Sequence, residues 1–211
     1  MSQFFQIHPD NPQLRLVRQA VAIMRDGGVI AYPTDSGYAL GCMLGRKRAI
    51  ERIRRIRGLD SKHPLTLVCG DLSSVGVYAK VDNTDYRMLK AAMPGAFTFI
   101  LNATTEVPRQ MMHPKRRTIG IRVPDNAISQ ALLLELGEPI ISTTMIPPNE
   151  NDALFDPIEI RERWEHELDL IIDGGSVPPE ETTMIDLTSH VPELIRRGAG
   201  DWTPFFADEP A

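Results

Sequence analysis

Cysteine is scarce in this 211-residue chain. Cys42 and Cys69 stand far apart and neither has a CxxC partner, which excludes a zinc ribbon and a disulfide framework and fits two buried thiols in a reducing compartment. No run is apolar for long enough to span a bilayer. Positions 1–12 lack a basic start followed by an apolar stretch, so no signal peptide is expected, and the protein is expected in the cytoplasm, away from membranes. His8, His63, His113, His166 and His190 are scattered, which argues against a metal site. The chain contains no HExxH, GxSxG, GxxxxGK[ST] or GxGxxG. Zincin, serine-hydrolase, P-loop and Rossmann chemistries drop out, and any ATP would sit in a less familiar cradle. There is no internal repeat, low-complexity tract or convincing linker.

What is present is globular. Hydrophobic residues make up 42% and charged residues 24%, a balance that excludes disordered and fibrous classes. The length suits a single domain over 1–211, with a core at about 10–200 and an acidic tail at about 203–211, frayed over Asp208-Glu209-Pro210-Ala211. The net charge of −5 argues against bulk binding of polyanions. Positive charge is nevertheless concentrated in two segments: Arg46, Lys47, Arg48, Arg52, Arg54, Arg55 and Arg57 in one, Lys115, Arg116, Arg117 and Arg122 in the other. An acidic chain with local basic clusters often carries a specific anion site.

Asn11-Pro12 predicts a helix start, with Leu14, Val17, Val21 and Met24 at helical spacing as far as Gly27-Gly28. Further helices are expected at 46–57, 82–93, 126–136 and 157–167. Short strands are expected at 29–32, 65–69, 97–101, 118–123, 139–144, 168–172, 184–187 and 194–196. Residues 33–38 read as a polar turn. Alternating strands and helices mean α/β layers, with helices against a mixed sheet.

Several strands end in hydroxyl-rich turns: Thr34-Asp35-Ser36-Gly37-Tyr38, Ser142-Thr143-Thr144 and Thr182-Thr183. Ligands of open α/β sheets sit beyond strand ends, where such hydroxyls bond phosphate, carboxylate or ribose oxygens; the same residues also serve simply as turns and caps. Arg122 lies between apolar strand residues and therefore needs either a structural carboxylate or an anionic ligand. Arg196 precedes Gly198, which permits close approach. The helix at 46–57 turns Ile50, Ile53 and Ile56 inward and presents its arginines either to solvent or to an anion or RNA. Arg57, beside Gly58, is placed to reach a neighbouring site. His63 precedes Pro64 in a loop and is more often a bystander than a catalyst.

Taken in order, five blocks resemble the YrdC-like threonylcarbamoyl-AMP synthase family. Residues 32–41 resemble PT[DE]TxYGLG, and 94–101 resemble PGxxTxIL. Residues 118–124 resemble TxGxRxP; Asp173-Gly174-Gly175 with 182–187 resembles DGG…STVVDL; and 195–199 resemble LRxGA. The resemblance implies a single-domain YrdC-like α/β fold, a twisted mixed sheet with helices against it and a concave, positively charged face. It implies a nucleotidyltransferase that condenses threonine, bicarbonate and ATP into threonylcarbamoyl-adenylate, with Mg2+ accompanying the ATP and tRNA as the eventual acceptor. By the same resemblance Ser36 and Arg122 hold the threonine carboxylate and hydroxyl with Thr182 nearby; Thr34, Tyr38, His63 and Ser142 are further substrate-binding candidates. Arg57, Thr118, Thr144 and Arg196 bind nucleotide, and Arg57, Arg122 and Thr144 act in catalysis. Two family motifs are degraded. The KxR motif falls on Arg57-Gly58-Leu59 and the SxN motif on Thr144-Met145-Ile146, a pattern similar to the YciO-type branch. The alternative is a protein that binds double-stranded RNA or tRNA through Arg48, Arg52, Arg55, Lys115, Arg116 and Arg117.

Overall fold

The computed structural model describes residues 1–61, 63–189 and 191–206. In chain order its main elements are β1 (Gln3–Gln6), α1 (Leu14–Arg25), β2 (Ile30–Thr34), β3 (Gly37–Met43), α2 (Lys47–Arg57), β4 (Thr66–Val68) and α3 (Leu72–Tyr78). There follow α4 (Asn83–Ala92), β5 (Phe97–Asn102), β6 (Thr118–Arg122), α5 (Ala127–Leu136), β7 (Ile140–Thr144), α6 (Pro157–Trp164), β8 (Leu170–Asp173), β9 (Thr183–Asp186) and β10 (Glu193–Arg196). A short 3-10 turn, Arg109–Met111, precedes β6.

Short polar side chains set most helix starts. Asp82 accepts from the N–H groups of Thr84 and Asp85 at 2.7 and 2.8 Å, and Asp85 accepts in return from the Asp82 N–H, closing a capping box on α4. Asn126 caps α5 and Asp156 caps α6, where Pro157 takes the first turn. Gly58 and Gly137 end α2 and α5 in the left-handed conformation. The expected Asn11 cap does not form. His8 Nδ1 accepts from the Asp10 and Asn11 N–H groups, a local turn that delays α1 until Gln13.

The strands form one mixed sheet of ten, in the order β1-β8-β2-β3-β7-β4-β6-β5-β9-β10. Its two faces are buried by different helices. The larger core packs Ile50, Ile53 and Ile56 of α2, Val75 of α3, Leu89 of α4 and Ile160 of α6 against one face. The smaller packs Val17, Val21 and Met24 of α1 and Ile128, Leu132 and Leu136 of α5 against the other. This is the mixed α/β single domain expected. Among the described residues no helix is long and apolar enough to cross a membrane.

Three elements were not foreseen. The predicted turn at 33–38 is mostly strand: β2 continues through Thr34 and reverses over Asp35-Ser36 into β3. Gly37 makes the reversal possible with φ of +110°, and the missing side chain leaves room for Pro179. Because β3 is buried on both faces, its residues show no polar alternation. β1 is a half-buried edge strand paired with β8. α3 contains Ser, Gly and Val, all modest helix formers, and is started by the Asp71 carboxylate accepting from the Ser74 N–H.

At the start of the expected acidic tail, the Phe205 ring meets Phe97 edge-on at 6.0 Å and both phenylalanines pack on the larger core. The acidic remainder, 207–211, lies outside the described residues, as does His190. Cys42 and Cys69 are free and buried, and burial pushes both thiols up to about 12, as expected of inert core thiols.

Candidate functional site

The alternation of side chains across the central strands builds the site. In register, Ile141 of β7, Leu67 of β4, Ile121 of β6 and Phe99 of β5 form one row, turned into the larger core. The neighbouring row is Ser142, Thr66, Gly120 and Ile100, turned the other way. α1 and α5 cover that second face only as far as Val68 and Ile140. Beyond them it stays open as a cavity of about 600 Å³.

All the residues expected to bind substrate line this cavity, as do Thr118, Thr144 and Arg196 from the expected nucleotide set. Three polar groupings organise the wall. At the β2–β3 tip, Thr34 Oγ1 donates to the Gly37 carbonyl and accepts from the Ser36 N–H at 3.1 Å. Arg122 Nη1 donates to Ser36 Oγ at 2.9 Å, while Nη2 pairs with Asp35, which also accepts from the Asp125 N–H. Both side chains of the ion pair are nearly buried, at 12% and 10% exposure, and Arg122 Nε has no hydrogen-bond partner. Arg122 therefore has its structural carboxylate and faces the cavity as well.

The second grouping surrounds Thr182. Its hydroxyl lies 2.8 Å from that of Thr98, and its carbonyl accepts from Arg196 Nε and Nη2 at 3.1 and 3.0 Å. Arg196 Nη1 pairs with Glu181 at 2.8 Å. The third grouping is tyrosine-based. Tyr32 donates to Ser142 Oγ, which donates to the Leu40 carbonyl. Tyr38 donates to the Gly175 carbonyl and accepts from the Gly174 N–H, tying the hairpin to the turn after β8. Burial raises the pKa of both phenols, Tyr32 to about 12, so both remain neutral donors. His63 also lines the cavity; burial lowers its pKa, with Arg57 and Arg54 adding to the effect and Asp60 opposing it, so the ring is neutral at pH 7.

Arg57 and several expected RNA contacts fall elsewhere. Arg57 does not line the cavity, and its guanidinium donates to the Ile146 carbonyl. Arg52, an expected RNA contact, acts in the fold as an internal brace. It donates to the Glu167 carbonyl and to Asp169 Oδ2, and the latter also accepts from the Val29 N–H at 2.7 Å. Arg55 pairs with Glu167 at 3.0 Å. Arg48, Lys115, Arg116 and Arg117 are all exposed, and Arg116 also lines the cavity. Of the two degraded motif positions, Leu59 packs on the larger core and Ile146 lines the cavity. Thr66, Thr98, His113 and Asp152 were missed. The strand alternation already marked 118–123, but only the register brings Thr66 and Thr98 beside it.

Comparison with known proteins agrees with this geometry. The Sua5/YciO/YrdC family model, described as telomere recombination, matches residues 22–198. The chain belongs to this family. The uncharacterized protein YciO of Escherichia coli strain K12 is 55% identical over 97% of the chain and 100% of its own length. Its crystal structure matches with a TM-score of 0.93. Threonylcarbamoyl-AMP synthase of Bos taurus is 32% identical over 84% of the chain but only 63% of the bovine protein. Pyrococcus abyssi Sua5, solved in complex with L-threonine, shares the fold at 24% identity and a TM-score of 0.86, covering 98% of this chain and 60% of its own.

Proposed function

We propose that the protein binds threonine and ATP in the 600 Å³ cavity and forms threonylcarbamoyl-adenylate, working in the cytoplasm and supplying tRNA modification. The observation that carries this reading is the Arg122–Ser36 pair on the cavity wall of a chain similar to threonylcarbamoyl-AMP synthases. A guanidinium suits the threonine carboxylate, and the hydroxyls of Thr34, Ser36 and Thr182 suit its small polar ends. In the reaction the threonine amine attacks bicarbonate and water leaves. The resulting carbamate oxygen attacks the α-phosphorus of ATP, and pyrophosphate departs. No enzyme nucleophile is needed. Thr118, Thr144 and Arg196 hold the nucleotide, and rate enhancement comes from positioning and charge complementarity.

Among the described residues no cluster of three or more His, Cys, Asp or Glu side chains is arranged to hold a metal ion. The residues offer no dedicated cage, so Mg2+ enters this reading on the triphosphate, with water completing its shell. Duplex RNA on α2 is less well supported, since Arg52 and Arg55 are committed to Asp169 and Glu167. The test is pyrophosphate release from ATP by the full chain. Release is expected only when threonine and bicarbonate are both present; folded protein that gives none with both supplied would remove the synthase reading.

A further inference from the structure

Three arginines line the cavity, and two are neutralised within the chain: Arg122 by Asp35 and Arg196 by Glu181. Arg116 makes no ion pair with any described residue. Arg116 is exposed to solvent at the cavity rim, and its backbone is held in place. The turn that carries it is closed by His113 N–H donating to the Thr118 carbonyl at 2.8 Å and by Arg117 N–H donating to the His113 carbonyl at 2.9 Å. His113 Nδ1 accepts from the Lys115 and Arg116 N–H groups, which fixes the backbone of Arg116 and leaves Nε2 as the ring nitrogen free to donate.

His63 and His113 also line the cavity, and two further guanidinium groups lie near His63. Arg54 donates to the Gln110 carbonyl, joining α2 to the turn before β6, and Arg57 donates to the Ile146 carbonyl. These two guanidinium groups are spent on neutral acceptors, so their charge is not cancelled by the bonds they make, and both act on His63; Asp60 is the opposing charge there. A ligand with several negative charges gains more from these groups than from Arg122 or Arg196, each of which already holds a carboxylate.

We propose that Arg116, with His113 and His63, forms the phosphate-binding end of the cavity, taking the terminal phosphates of ATP and the pyrophosphate product. As an assignment to ATP this rests on the synthase reading; as a site for a di- or triphosphate it stands on the charge distribution alone. Arg116 is thus a ligand-binding residue of the cavity, not part of an RNA surface.

The test is titration of the full chain with inorganic pyrophosphate by calorimetry. Arg116→Ala is expected to weaken binding about tenfold or more, since a charge-assisted contact to phosphate is lost. Arg116→Lys retains part of the affinity because it keeps the charge but not the forked geometry. Arg87→Ala, an equal charge change on exposed α4, leaves affinity unchanged. The proposal is overturned if Arg116→Ala, melting like the wild type, binds pyrophosphate as tightly as it does, or if the wild type does not bind pyrophosphate at millimolar concentration. The two readings fail separately. Lost pyrophosphate binding in Arg116→Ala, with no adenylate made by the wild type, keeps the phosphate site and removes the reaction. Adenylate formation with an ATP KM indifferent to Arg116→Ala keeps the reaction and removes the phosphate site.

Discussion

Arg122→Ala is expected to abolish threonine-dependent pyrophosphate release, lowering it by about a hundredfold or more, and to destabilise the fold as well. The functional loss follows from removing the cation that faces the cavity beside Ser36. The structural loss follows from Asp35, which is only 10% exposed and would be left with the Asp125 N–H as its remaining partner. Breaking a nearly buried pair from one side costs about 2–4 kcal/mol, because the surviving charge is desolvated without compensation. Urea denaturation separates the two effects. In Asp35→Asn/Arg122→Ala the uncompensated carboxylate is gone, so stability should recover in part while activity stays absent. A single Arg122→Ala variant with wild-type turnover would remove Arg122 from the site.

Gly198→Ala should be the most disruptive glycine substitution near the cavity. A Cβ at Gly198 would lie 2.2 Å from the Glu181 carbonyl oxygen, 2.5 Å from the Thr182 carbonyl carbon and 2.6 Å from the Thr183 nitrogen. All three atoms are backbone, so no side chain can swing away. The same junction is held by Gly198 N–H donating to Thr183 Oγ1 and Ala199 N–H donating to the Glu181 carbonyl. Forcing these segments apart is expected to cost about 2–4 kcal/mol. It also displaces the Thr182 carbonyl that orients Arg196, so the ATP KM rises in whatever fraction remains folded. Gly137→Ala is the comparison: its φ is +72° but nothing lies within 4 Å, so only the conformational penalty of about 1 kcal/mol applies. Equal melting temperatures for the two variants would contradict the close-approach argument.

The fold was readable where local chemistry and tertiary environment agree. Asp82, Asn126 and Pro157 announce their helices, and Thr118 to Arg122 alternates because one side of β6 is core and the other is cavity. β3 was hidden because both of its faces are buried, so it carries no period. The hydroxyl turns at Thr34 and Thr182 were legible as ligand chemistry, but Thr66 and Thr98 look like ordinary strand threonines until register sets them beside Gly120 and Thr182. The arginines of α2 show the opposite difficulty. Their shared helix face suggested a common job, yet Arg52 and Arg55 meet partners more than a hundred residues away, at Glu167 and Asp169. Such partners leave no trace in local spacing. Arg116 was read with its basic neighbours; it shares their turn and their exposure, and only its place in the cavity lining, which local spacing does not record, sets it apart.

The Arg122–Asp35 pair has one more consequence, for how the cavity senses its solvent. An incoming carboxylate meets a guanidinium that already holds a counter-charge, so binding there is an exchange of one carboxylate for another, or a sharing of the same cation. Little net charge is neutralised, and the pair is shielded from mobile ions by its burial. Threonine affinity should therefore stay nearly flat as ionic strength rises. A phosphate ligand at the unpaired Arg116 has no such insulation, so the two ends of one cavity would respond differently to the same change in the cell's salt.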